Sequence, residues 1–200
     1  LLSDFWPYLM DETLAYISDA VYSLPSCRIW IDYDEMPDDL IWAFVCLEDK
    51  RFFEHSGVDW RRTIGVMIKP SYNGQGGSTI TQQLIKNLTK KNEVTYIRKF
   101  NEILRALNLE NYYSKTEILE AYLNEVYLGC GCYGVRTAAE RYFGKEVKDL
   151  TLVECATLAA ITKAPYTQNP VYSYEKNHER EQYCLECMYQ EGKLSKKRYK

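Results

Sequence analysis

Glu48 and Asp49 are adjacent carboxylates at the end of an apolar run, Ile41 to Leu47, and Phe52, Phe53 and a single His55 follow them closely. Apolar surroundings raise a carboxylate's proton affinity toward neutrality, the property a general base requires. The adjacent carboxylates are therefore a candidate source of a general base. Asp49 reads as a residue that caps or pairs to hold this corner, and His55 reads as structural, because a lone histidine is more often a buried hydrogen-bonding group than a catalyst.

A second chemical feature lies in Gly76 to Asn87 (GGSTITQQLIKN). Gly76 and Gly77 let the backbone turn tightly, and Ser78 or Thr79 can cap a following helix, leaving N–H groups and hydroxyls at its N-terminus as a cradle for an anion. Gln83 and Lys86 share one face of that helix, and the next helix adds Arg98, Lys99 and Arg105. From 86 to 105 there are six cations and two anions, in a chain whose formal net charge is -3. A local patch of that sign suits a phosphate-bearing ligand, although a solvated pair of charged helices would show the same residues. Generic nucleic-acid binding normally needs an overall basic excess, so no nucleic-acid partner is expected.

These groups need a helical frame. The 200 residues, 46% hydrophobic and 14% aromatic, suffice for one domain with a real core or two small lobes sharing one. An amphipathic N-terminal helix is expected over about 8–24, an extended segment over 28–33, and a helix from the Asp34–Asp39 region through Leu47. Residues 65–77 read as the one flexible region. Ile80, Leu84 and Leu88 recur at helical spacing within 79–90. A helix over 95–110 is expected to bury Ile97, Phe100, Leu104 and Leu107. Ser114 and Glu117 form a capping-box pattern that opens another helix, and further helices fit 134–142, 151–162 and 175–190. No apolar run reaches the roughly 18–20 residues that span a bilayer. The seven cysteines include a CxC (130, 132) and a CxxC (184, 187), but no ordinary four-ligand spacing joins the pairs. They are expected to be mostly reduced, with the CxxC on the apolar face of a helix.

Six stretches carry a resemblance. EDKRFFEHSG (48–57), GGSTITQQLIKN (76–87), RKFNE (98–102), KTEILEAYLN (115–124), YGVRTAAERYFGK (133–145) and KAPYTQNP (163–170) resemble, in order and spacing, the peptidoglycan glycosyltransferase domain of penicillin-binding proteins and monofunctional transglycosylases, glycosyltransferase family 51. The resemblance implies a mainly α fold with a lysozyme-like head lobe and a smaller membrane-proximal jaw. The expected division is an N-terminal segment over 1–34 following a membrane anchor absent from the chain, the glycosyltransferase domain over 35–190 with the jaw at about 58–95, and an exit linker over 191–200.

The reaction so implied joins a growing glycan donor to a lipid II acceptor through a β-1,4 bond, with inversion and loss of polyprenyl pyrophosphate. By match, Glu48 is the base and Glu102 the second catalytic carboxylate. Ser78, Thr79, Gln82, Gln83, Lys86, Arg98 and Lys99 contact substrate, while Asp49, Phe52 and His55 support the site. No cofactor is required, with a divalent cation (Mg or Mn) at Glu102 as an option. Implied partners are lipid II and glycan, the outer leaflet of the cytoplasmic membrane, a phosphoglycolipid inhibitor of the moenomycin type, and a transpeptidase domain in a longer protein. The implied location is the extracytoplasmic face of a bacterial cell membrane.

Glu120 and Asn124 are expected to help shape the donor site, and the rest of 115–124 to pack. Two other readings compete. A lysozyme-like muramidase would use Glu48 as an acid, and a non-catalytic lipid II binding module would keep the cations without using the base. The leaving group separates the enzymes: a glycosidase must protonate an alkoxide, whereas pyrophosphate needs cations and N–H donors to hold its developing charge.

Overall fold

The computed structural model describes residues 29–68, 76–89 and 96–199. The expected helix over 8–24, the tip of the 65–77 segment and Cys27 lie outside them. The described helices are α1 (Asp38–Glu48), α2 (Trp60–Ile68), α3 (Ile80–Thr89), α4 (Tyr96–Tyr112), α5 (Lys115–Glu125), α6 (Val135–Phe143), α7 (Leu152–Ile161), α8 (Tyr174–Gln190) and the short α9 (Lys196–Tyr199). Among the described residues there is no strand, only one antiparallel bridge between Tyr127 and Tyr133.

α1 is the hub. Asp38 and Asp39 stand in its first turn, where negative charge opposes the helix dipole favourably. Beyond them Leu40, Ile41 and Ala43 to Leu47 are all buried. A helix apolar on every side must be covered on every side, and α7 and α8 pack along α1. Fully burying side chains such as Leu40, Phe44 and Leu47 stabilises by roughly 1.5–3 kcal/mol each, so tertiary packing holds this helix more than its own propensity does. α3 packs between α4 and α5, adding Ile80 and Leu84 to the same core as Leu119, Tyr122 and Leu123.

Local signals set several helix starts. Ser114 and Glu117 form a reciprocal capping box at α5, and Thr151 and Glu154 form another at α7. Gly57, at φ +81°, lies so close to α4 that an added Cβ would stand 2.5 Å from the carbonyl oxygen of Ala106. Its own carbonyl accepts the Thr79 hydroxyl at 2.6 Å. This glycine therefore lets the chain after α1 touch both the start of α3 and the flank of α4.

Three expectations change. The alternating segment before α1 is not a strand: Ile29 to Asp32 has no regular structure and Tyr33–Glu35 is a 3-10 turn. Side chains of α5 satisfy its backbone instead. Asn124 accepts the Ile31 N–H at 3.0 Å and donates to the Ile31 carbonyl at 2.9 Å, and Glu120 accepts the Tyr33 N–H at 2.7 Å and the Trp30 indole at 3.2 Å. Glu120 and Asn124 thus hold this segment in place. Residues 65–68, expected to be flexible, end α2.

In α4 the expected apolar face is wrong by rotation. Ile97 is 75% exposed and Phe100 53%, Leu104 and Leu107 are half-buried, and the buried positions are Glu102, Ala106 and Leu109. Both faces of this helix carry apolar residues, and its packing on α3 selects the face that brings Glu102 inward.

Candidate active site

Glu48 is the last residue of α1 and Asp49 ends the helix in a non-helical conformation, φ -156° and ψ 70°. The buried hub thus delivers two successive carboxylates to its end, aimed differently. Asp49 is 0% exposed. Its Oδ2 accepts the backbone N–H of Ile80 at 2.9 Å and lies 3.0 Å from His55 Nε2, while its Oδ1 is 3.6 Å from the Arg62 guanidinium. Asp49 thereby ties His55 and Arg62 to the start of α3. Phe52 is fully buried, with the Lys115 ammonium 4.4 Å from its ring centre and 2.7 Å from Glu110.

The environment of Glu48 is not apolar. Its Oε2 accepts the side-chain amide of Gln83 at 3.0 Å, and its Oε1 lies 2.8 Å from the Thr162 hydroxyl and 3.1 Å from Arg180 Nη2. Tyr122, buried on α5, donates to the other end of the Gln83 amide at 3.1 Å. The apolar helix brings Glu48 to its place, but the groups meeting its carboxylate come from α3, the end of α7 and α8.

The helix start at 76–80 is also not an open anion cradle. Its donors are already used: Thr79 N–H goes to the Gln82 side chain at 2.9 Å, Gln82 N–H returns to the Thr79 hydroxyl at 3.2 Å, and Ile80 N–H goes to Asp49. Thr79 and Gln82 are completely buried, so the expected substrate contact by these two is replaced by a reciprocal cap. Glycines and hydroxyls before a helix signal free N–H groups in sequence, but here a carboxylate of the same chain fills the site.

Ser78 belongs to a cationic cluster instead. Lys99 donates to its hydroxyl at 3.0 Å and also pairs with Glu102, which takes Arg98 on its other oxygen at 2.8 Å. Glu102 is 5% exposed. Lys86 is exposed on α3, one turn beyond Gln83, and has no ion-pair partner among the described residues. A divalent ion at Glu102 would meet two cations already seated on its oxygens, so these residues do not fit one. Among the described residues no group of three or more His, Cys, Asp or Glu could hold a metal. Among the described residues no cysteine is in a disulfide. Cys184 and Cys187 are buried on α8, as expected of an apolar face.

Arg62, which the motif reading did not single out, joins the two carboxylate regions. Its guanidinium donates to the Glu48 carbonyl at 2.7 Å and to the Ser78 carbonyl, and it stands beside Asp49. Glu48 and Asp49 are thereby tied through Arg62 to Ser78, then through Lys99 to Glu102. Asp59 fixes the start of α2 by accepting the Arg62 N–H at 3.0 Å and a forked Arg51 guanidinium at 2.7–3.0 Å. Burial alone would raise its pKa, but those donors outweigh burial and hold it below the usual carboxylate value. A cavity of about 1080 Å³ adjoins this side, lined by Arg62, Lys163, Lys176 and Arg180 among others. Lys163 falls in a quoted motif, whereas Arg62, Thr162 and Arg180 carried no sequence signal beyond their type.

A buried helix ending in a hydrogen-bonded glutamate is thus linked through Arg62, Ser78 and Lys99 to a second glutamate clasped by Arg and Lys. The model of the transglycosylase family matches residues 18–189, and the chain belongs to that family. It is similar to penicillin-binding protein 1F of Bacillus subtilis, 45% identical over 170 residues that make up 84% of this chain and 24% of that protein. Penicillin-binding protein 1A of Vibrio cholerae is 47% identical, covering 86% and 21%, and that of Escherichia coli 42%, covering 86% and 21%. The crystal structure of penicillin-binding protein 1A from Haemophilus influenzae matches with a TM-score of 0.53 at 29% identity, over 86% of this chain and 16% of that one. The chain thus spans about a quarter or less of the length of these relatives. No helix among the described residues is long and apolar enough to cross a membrane.

Proposed function

We propose that this chain is a peptidoglycan glycosyltransferase that polymerises lipid II into β-1,4-linked glycan, with Glu48 as the base. The observation that carries this reading is the pairing of sites: a glutamate whose polar neighbours are all donors, connected through Arg62 and Ser78 to a buried Glu102 bearing Arg98 and Lys99. Glu48 takes the proton of the acceptor's sugar hydroxyl as that oxygen attacks the donor's anomeric carbon. The bond from that carbon to the pyrophosphate oxygen breaks, and the pyrophosphate departs with the electron pair. Lys86, Arg98 and Lys99 hold the growing negative charge, and Glu102 orders the last two.

A muramidase fits less well. It needs a proton aimed from Glu48 at a departing alkoxide, whereas Gln83, Thr162 and Arg180 all approach that carboxylate as donors. For the membrane side, the support is a set of outward apolar residues, Trp60 and Ile64 on α2 and Ile97 and Phe100 on α4, which suits a jaw resting on the outer leaflet. The relatives' name and greater length support a penicillin-binding transpeptidase domain in the longer protein. A moenomycin-type phosphoglycolipid would occupy the same cationic cluster.

The test is incubation with labelled lipid II in detergent, with products resolved as a ladder. The parent chain should build glycan, and Glu48→Gln should build none while still binding the phosphoglycolipid. A mutant that keeps polymerising would remove Glu48 from the role.

A further inference from the structure

Glu48 is gripped from a helix that lies far away in sequence. Arg180 stands midway along α8, its side chain only 12% exposed, with Nη2 3.1 Å from Glu48 Oε1. The other group at Oε1, the Thr162 hydroxyl, is 2.8 Å from that oxygen but 2.7 Å from the Ala159 carbonyl. One hydroxyl proton shared between two acceptors is a weaker donor to each. Arg180 therefore supplies the committed donor on this side, with a charge and a planar geometry that Thr162 lacks.

The opposite oxygen is treated differently. Oε2 accepts the Gln83 amide at 3.0 Å, and the Tyr122 hydroxyl on the carbonyl end of that amide fixes which way it points. A carboxylate offers about two lone-pair directions per oxygen. With Arg180 and Thr162 at Oε1 and only Gln83 at Oε2, the vacant direction belongs to Oε2. We propose that Arg180 is the positioning residue for Glu48 and that, by holding Oε1, it assigns proton abstraction to Oε2.

Packing alone would not call for an arginine here. Arg180 Nε is buried without a hydrogen-bond partner among the described residues, and the side chain also lines the cation-rich cavity with Arg62, Lys163 and Lys176. Arg62 reaches only the main-chain carbonyl of Glu48, so it does not duplicate the grip on the carboxylate.

This inference rests on the glycosyltransferase reading, and the test separates the two. Initial rates of lipid II polymerisation are measured for the parent, Arg180→Gln and Arg180→Lys, together with Tm and phosphoglycolipid affinity. A parent that builds no glycan would sink the glycosyltransferase reading itself. With an active parent, Arg180→Gln should lower kcat about 100-fold, the scale of an ångström's misplacement of a catalytic group, with KM and inhibitor affinity unchanged. Arg180→Lys, which keeps the charge, should recover about tenfold of that loss.

A kcat for Arg180→Gln close to the parent's would overturn the proposal. So would a rise in KM with kcat intact, which would make Arg180 a substrate-binding residue. Should Arg180→Gln lose the parent's Tm, the lysine variant decides. A lower kcat at unchanged KM supports positioning, and a change in KM alone overturns it.

Discussion

The Asp49 carboxylate accepts the backbone N–H of Ile80 at 2.9 Å from a completely buried position. A residue at the end of α1 therefore fills the N-terminus of α3, and the two helices that bring Glu48 and Gln83 together are locked at their meeting point. Replacing Asp49 by Ala strands the Ile80 N–H, His55 and Arg62 together. Losing one partner of a buried charged network costs about 3–5 kcal/mol, whereas Asp49→Asn keeps an acceptor and should cost about 1–3 kcal/mol. Urea unfolding measures both, and equal losses would show that the cap, not the charge, stabilises the joint.

Lys86 stands exposed on the same helix, one turn beyond Gln83. A charge-assisted hydrogen bond contributes about 1.5–3 kcal/mol, so Lys86→Ala should weaken phosphoglycolipid binding by about tenfold to a hundredfold. Titration calorimetry would read this, and unchanged affinity would place Lys86 outside the phosphate site.

The two cations on Glu102 lead to an expectation about metals. Polymerisation should keep more than about half its rate after full chelation, because Arg and Lys already neutralise the leaving group. A loss restored by added Mg would show that a divalent ion is required.

Asp59 sets a pH dependence of stability. Its folded pKa lies below the ordinary 3.8 because Arg62 and Arg51 outweigh burial. A depressed carboxylate contributes stability above its unfolded pKa and loses it as pH falls through the folded value. Asp59→Asn should therefore be less stable than the parent at neutral pH, and the gap in Tm should close as pH falls below the ordinary 3.8 and through the lower folded value. A gap that stays constant into acid would assign the loss to geometry rather than charge.

The cysteines should separate by reactivity. Burial pushes the Cys46 and Cys155 thiols up to about 12 and Cys184 well above its ordinary value. For Cys130 burial also acts upward, but hydrogen bonding with Tyr142, Tyr172 and Asn169 outweighs it and lowers the pKa. Iodoacetamide at about pH 7.5 should modify Cys130 well before those three, since the thiolate is the reacting form. Peptide mass spectrometry would show the order, and early labelling of Cys46 would contradict it.

Local signals carried much of the fold. The capping boxes at Ser114 and Thr151, the unbroken apolar run before Glu48 and the four-residue spacing of Ile80, Leu84 and Leu88 each lie within one helix, so the sequence by itself determined α1, α3, α5 and α7. It also determined the family, through six stretches in a fixed order. Tertiary structure alone decided which partner each polar group takes. Asp49 occupies the helix start that the glycines seemed to leave open, Asn124 and Glu120 turn to the segment before α1, and α4 turns Glu102 inward and Ile97 outward. Arg180 reaches Glu48 across 132 positions of sequence. The physical reason is the same in each case: helix formation depends on neighbours a turn away, while the pairing of a buried donor or charge is fixed only when distant elements pack and remove the water that would otherwise satisfy it.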